Sequence, residues 1–119
     1  MPQVVIHIPE TVNQGAKAAL VRRVRESIHE VLHLDTLIGQ VILYESPVSQ
    51  RGIHDQRDPH FVFVEAFMYP GRKAAVKKEL MERIVILINR YLGVSVRDVH
   101  AVIHEIPKEN YYGGMMHRH

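Results

Sequence analysis

The sequence predicts an α/β fold: two tandem duplicated β-α-β units forming a four-stranded sheet of mixed parallel and antiparallel strands, with two helices on one face. The first observation behind it is an internal repeat, because the chain aligns with itself without a gap when slid by 60 positions. Val4 then falls on Val64, Lys17 on Lys77, Leu20 on Leu80, Arg23 on Arg83, Leu32 on Leu92, Glu45 on Glu105 and Pro47 on Pro107. Val24 with Ile84, Ile28 with Ile88, Leu34 with Val94, Ile42 with Val102 and Leu43 with Ile103 stay apolar in both copies. The second observation is that each copy opens and closes on a short β-branched run. The third is the apolar spacing between those runs, which is helical. Residues 1–119 read as a single domain, with repeat one over about 2–53 and repeat two over about 61–113.

Taken in order, Gln3–Ile8 and Phe61–Phe67 are the first strands, bounded by Pro and Gly. From Ala16 onward Leu20, Val24, Ile28 and Val31 recur at spacings of three and four, and Val76, Leu80, Ile84, Leu87 and Tyr91 do the same. These are amphipathic helices. Asn13 or Thr11 caps the first, and Gly93 ends the second by accepting a left-handed backbone. The second strands, Gln40–Glu45 and Val99–Glu105, follow after short connections, so each helix crosses over to a parallel strand. Between the units Ser46–Pro59 is polar and is expected to form a loop or a short edge pairing. With both helices on one face, the other sheet face is left uncovered, which predicts self-association.

Composition excludes several classes. The apolar fraction of 46% and charged fraction of 24% are those of an ordinary globular protein. No cysteine is present, so there is no disulfide, thiolate nucleophile or Cys-type zinc site. Basic residues number 15 and acidic 13, for a net charge of +2, and they are scattered, so no nucleic-acid partner is expected. No apolar run approaches a membrane span and no signal peptide is evident, so a cytoplasmic protein with no membrane contact is expected.

The run Met1-Pro2-Gln3-Val4-Val5-Ile6-His7-Ile8, the basic helix with Lys17, Leu20 and Val21, and Val41-Ile42-Leu43-Tyr44-Glu45 resemble 4-oxalocrotonate tautomerase. The segments Phe67-Met68-Tyr69-Pro70-Gly71-Arg72 and Val102-Ile103-His104-Glu105-Ile106-Pro107-Lys108-Glu109-Asn110-Tyr111 resemble the second unit of the longer, fused tautomerases. That subgroup of the tautomerase superfamily includes malonate semialdehyde decarboxylases. The resemblance implies a homotrimer with sheets facing the centre, and catalysis by the free amine of Pro2 once Met1 is removed. An α-amino group titrates near ~7.7 to 8.0, and burial or nearby cations lower that value. A neutral Pro2 amine would then act as general base in keto–enol tautomerisation of a small carboxylate, without cofactor or metal.

The same resemblance assigns substrate contacts. Arg72 follows a strand on a Pro70-Gly71 turn and offers a planar fork for a carboxylate. His100 stands at one family arginine position and Gln40 at its counterpart in the first unit, while Val12 replaces a further arginine. Tyr111 supplies an aromatic wall and Asn110 a hydrogen bond beside it. Ile38 stands where the decarboxylases carry an acid, although Asp35 is near, so decarboxylation is disfavoured.

Other readings stay open. A protonated Pro2 would serve as an acid in hydration, dehalogenation or decarboxylation of small oxo or unsaturated acids. If Met1 is retained, the nitrogen is an amide and a non-catalytic oligomeric binding module results. His29 with His33, and His117 with His119, supply only part of a tetrahedral metal site. Arg22, Arg23 and Arg25 lie among Glu26 and Glu30 and read as a solvated helix face.

Overall fold

The offset seen in the sequence is also the offset between the helices: α1 spans Gln14–Leu32 and α2 spans Ala74–Leu92. This computed structural model describes residues 1–11, 13–34 and 38–113. Strands β1 (Gln3–Pro9) and β2 (Gln40–Ser46) flank α1, and β3 (Val62–Met68) and β4 (Val99–Glu105) flank α2. The sheet order is β2-β1-β3-β4. Each unit pairs its own strands in parallel, and the units meet antiparallel along β1 and β3. The expected architecture is therefore the observed one.

Strict alternation in β1 and β3 decides which face is core. Val4, Ile6 and Ile8, with Val62, Val64, Ala66 and Met68, point toward the helices and are at most 1% exposed. Leu20, Val24 and Ile28 of α1 and Leu80, Ile84 and Ile88 of α2 meet them at 0% exposure. The repeated apolar positions are thus core positions. The repeated polar ones also have a physical reason. Lys17 reaches Glu45 at 2.5 Å and Lys77 reaches Glu105 at 3.3 Å, so each helix is clasped to the outer strand of its unit by the same pair. The bond from Lys17, then that from the Thr11 amide, holds the Glu45 carboxyl below the usual carboxylate range.

Asn13 is the cap of α1: its Oδ1 accepts from the Ala16 amide at 2.9 Å, while Thr11 instead receives the Asn13 amide on its hydroxyl at 3.4 Å. The helix begins two residues before Ala16 because that cap fixes it. Asn13→Ala is expected to cost about 1 kcal/mol, read as a lower urea midpoint at unchanged slope. Gly93 closes α2 at φ 70°, as expected, whereas α1 ends on His33 in the same left-handed region at φ 53°.

The linker is a loop. It opens with a single 3-10 turn at Val48–Gln50 after Pro47, matched by another at Lys108–Asn110 after Pro107. Arg51 organises it, with Nη1 donating to the carbonyls of Pro59 and Phe61 at 2.6 Å each and the guanidinium 4.2 Å over the Phe61 ring. β3 begins at Val62, one residue after the Phe61 carbonyl that Arg51 engages, rather than at Phe61.

The sheet face turned away from the helices carries Val5, Ile42, Tyr44, Phe63, Phe67 and Val102 together with a polar centre. Ile42, Tyr44 and Val102 are 47%, 54% and 38% exposed. At the centre Glu65 bridges His7 at 2.8 Å and His104 at 3.2 Å. The His7 bond is the main reason the Glu65 carboxyl is held below the usual range, with partial burial opposing and His104 adding to it. The uncovered face is thus mixed rather than wholly apolar.

Candidate active site

Antiparallel pairing of Gln3 with Phe67, continued by one residue, sets Pro2 opposite Met68 at one end of the sheet. Pro2 is buried there. Its carbonyl accepts from the Gln40 amide at 3.2 Å. Gly39 packs beside it at φ +113°, where an added Cβ would stand at ordinary contact distance, 3.4 Å from the Pro2 oxygen and 3.7 Å from its Cγ. It is the positive φ, rather than lack of space, that calls for glycine at this position. Burial also holds the Met1 ammonium below its usual value, so this end of the chain is a place where a positive amine is disfavoured.

The segment after β4 returns to the same end, because the Ile106 amide donates to the Met68 carbonyl at 2.8 Å. That contact delivers Tyr111. Its hydroxyl lies 3.5 Å from Gln3 Nε2, and its ring meets the Tyr69 ring edge-on at 6.1 Å between centroids. Gln3 Nε2 also donates to Gln40 Oε1 at 2.8 Å. Tyr69 is buried, and the Lys108 ammonium sits 5.6 Å from its ring centroid. An aromatic wall, two side-chain amides and a cation therefore gather around the start of β1.

Of the residues singled out in the sequence, Gln40 bonds Pro2 directly through its amide, and Tyr111 reaches the neighbouring Gln3. Arg72 is half-buried on the segment between Gly71, at φ +116°, and the start of α2, three residues after Tyr69. Asn110 is exposed at the end of the 3-10 turn. His100 is not brought to Pro2 within one protomer. It pairs with Phe63 near the start of β3, five residues from Met68, a separation of about 16 Å at ~3.3 Å per residue. Val12, Asp35, His117 and His119 lie outside the described residues. Among the described residues no group of three or more His, Asp or Glu side chains is placed to hold a metal ion.

Sequence reasoning missed Gln3, Gly39, Tyr69 and Lys108. Gln3 looked like an ordinary alternating strand position, and Gly39 like a loop residue. Tyr69 was legible in principle, since an aromatic followed by Pro70-Gly71 marks the strand end that faces Pro2. At the opposite end of the sheet, a cleft of about 440 Å³ is lined by Pro9, Glu10, Asp58, His60 and Asp98 among others. Its carboxylates make that end unfavourable for anions.

The chain matches the family model described as tautomerase enzyme over residues 36–112. It belongs to that family. The match begins after Pro2, so it carries the fold and not the N-terminal residue. No curated protein matches the chain. A native fused 4-OT structure superposes with a TM-score of 0.84 at 19% identity, covering 94% of this chain and 92% of that one. An asymmetric trimer of R7 fused 4-OT gives 0.85 at 21%, covering 94% and 92%. A malonate semialdehyde decarboxylase, FG41, inhibited by 3-bromopropiolate, gives 0.79 at 21%, covering 95% and 89%. No helix among the described residues is long and apolar enough to cross a membrane.

Proposed function

We propose that this chain is a tautomerase that moves a proton between oxygen and carbon of a small α-keto or unsaturated carboxylic acid, with the mature Pro2 amine as general base. The observation that carries the reading is the burial of Pro2 beneath Gly39 at a sheet end walled by Tyr69 and Tyr111. Desolvation there favours the neutral amine, as it does for the Met1 ammonium that precedes it. The lone pair takes the enol proton and the resulting ammonium returns one to the conjugated carbon, so the proton balance closes without a cofactor. Arg72 holds the carboxylate, Tyr111 excludes water and orients a substrate oxygen, and Asn110 donates beside it. His100 joins a site only across a subunit boundary.

That boundary belongs to the same reading. The partly apolar open sheet face, and solved relatives that are trimers, support a homotrimer with this face inward. His100, His7, Glu65 and His104 would then be interior groups.

The test is enol-to-keto conversion of phenylenolpyruvate by protein whose intact mass shows that Met1 is gone. Turnover above the buffer rate supports the reading, and processed protein without any turnover refutes it. Arg72→Ala is expected to raise KM roughly tenfold with a smaller change in kcat, because it removes binding common to ground and transition states.

A further inference from the structure

The duplicated unit is a built-in comparison for the proline-bearing one. At the 60-residue offset, Pro2, Arg25 and Gly39 of the first unit face Val62, Val85 and Val99 of the second. All three departures are to valine, and in the structure the three first-unit residues form one connected contact. In the second unit Val62 and Val99 are an ordinary strand pair. In the first, Gly39 packs against the Pro2 ring and carbonyl at φ +113°, a backbone conformation that valine does not readily adopt.

One peptide bond joins the set. The amide of Gln40 donates to the Pro2 carbonyl at 3.2 Å, and the carbonyl of that same peptide, belonging to Gly39, accepts from Arg25 Nε at 3.3 Å. The peptide plane is rigid, so fixing its oxygen fixes the direction of its N–H. A cationic donor on the carbonyl also polarises the peptide and strengthens the bond made by its N–H. Glycine needs such a clamp more than another residue would, because it can adopt many backbone conformations and is held here at φ +113°. Helix α1 supplies it, with Ile28 one turn beyond Arg25 packing 3.5 Å from the position of a Gly39 Cβ. Val85, at the matching place on α2, has no donor.

We propose that Arg25 is a positioning residue for Pro2, acting through the Gly39–Gln40 peptide to hold the N-terminal residue in its working orientation. The inference rests on the reading of Pro2 as the reactive amine. It adds to the expectation that Arg22, Arg23 and Arg25 lie on a solvated face: Arg23 pairs with Glu26 at 2.7 Å, and Arg25, though exposed, also reaches the Gly39 carbonyl.

The experiment compares Arg25→Met, which keeps the length of the stem and removes the donor, with Arg25→Lys, which restores a donor, and with Arg22→Met as a control on the same helix. Two readouts are taken on Met1-processed protein. One is the kcat and KM of phenylenolpyruvate conversion. The other is the rate at which Pro2 is trapped by pyruvate and cyanoborohydride, followed by peptide mass. Trapping joins the amine nitrogen to the keto carbon with loss of water, and hydride from the reagent reduces the iminium. Arg25→Met is expected to lower kcat roughly tenfold with little change in KM, since small displacements of a reacting group are costly. It should slow Pro2 trapping in parallel, and Arg25→Lys should recover part of both. A merely structural arginine would shift thermal stability and leave trapping alone. Unchanged kcat and trapping in Arg25→Met, or a change confined to KM, overturns the inference while leaving the proposed function standing. If Pro2→Ala retains full turnover the proposed function fails, and the trapping rate still decides whether Arg25 positions Pro2. Failure to trap Pro2 in the unmodified protein overturns both.

Discussion

Pro2→Ala, in protein freed of Met1, is expected to lower kcat for phenylenolpyruvate by about 100- to 10,000-fold, the range that a positioned general base contributes. The substitution leaves an amine at the N-terminus, so the loss is one of placement as well as chemistry. The pyrrolidine ring ties the nitrogen to the side chain, which fixes the direction of its lone pair, and it packs beside Gly39, with the ring Cγ 3.7 Å from where a Cβ of that glycine would stand. Alanine has neither the ring nor the contact, so its nitrogen is free to rotate and to hydrate. KM should change little, because Arg72 and Tyr111 are untouched. Preventing Met1 removal should produce a loss of the same order by another route, since the nitrogen becomes an amide without a basic lone pair. Kinetic assay of both proteins, each with its intact mass, checks the pair. Full activity in either would show that the amine is not the base.

The second large effect is on stability. Ile28→Ala is expected to cost about 2–5 kcal/mol, the usual consequence of truncating a fully buried isoleucine. Ile28 is 0% exposed, and it packs both against the sheet and beside Gly39. With a total stability on the order of 5–15 kcal/mol for a domain, such a loss moves the urea midpoint far. Ile88→Ala, at the matching site of the second unit and also 0% exposed, should cost a similar amount. The two differ in activity measured well below their unfolding transitions. Ile28→Ala loosens the support of Gly39 and should lower kcat, whereas Ile88→Ala should not.

Most of the fold was legible because one pattern was written twice. Positions such as Leu20 with Leu80 and Ile28 with Ile88 carry their burial in their spacing, and the repeat removes the ambiguity that a single amphipathic stretch would leave. Lys17 with Glu45, and Lys77 with Glu105, were visible as identities, but their meaning was not, since the pairing crosses from helix to strand. The cap of α1 stayed undecided between Thr11 and Asn13 because both residue types can accept the helix amides. The structure gives the role to Asn13, whose Oδ1 accepts from the Ala16 amide while the Thr11 hydroxyl accepts from the Asn13 amide.

The site was less legible. Pro2, Arg72, Asn110 and Tyr111 were named by resemblance, and of these Pro2 and Tyr111 are tied together through Gln3. Arg25 is exposed, as a solvated helix face implies, but its bond to the Gly39 carbonyl spans 14 residues, and helix-face reasoning sees only neighbours three and four positions away. His100 was named from a position rather than a contact, and its place on β4 puts it toward the other end of the protomer. Contacts that cross a subunit boundary leave no periodic trace in one chain.

On the proposed reading, burial at the start of β1 makes the Pro2 amine a base, and the charge state of that nitrogen can be measured without substrate. Processed protein labelled with nitrogen-15 at Pro2 should titrate, by NMR, with a midpoint clearly below the ~7.7 to 8.0 of an ordinary α-amino group. The turnover rate should then rise with pH through that same midpoint. A Pro2 nitrogen that titrates at or above the ordinary range, and so stays cationic at neutral pH, would contradict its assignment as the base.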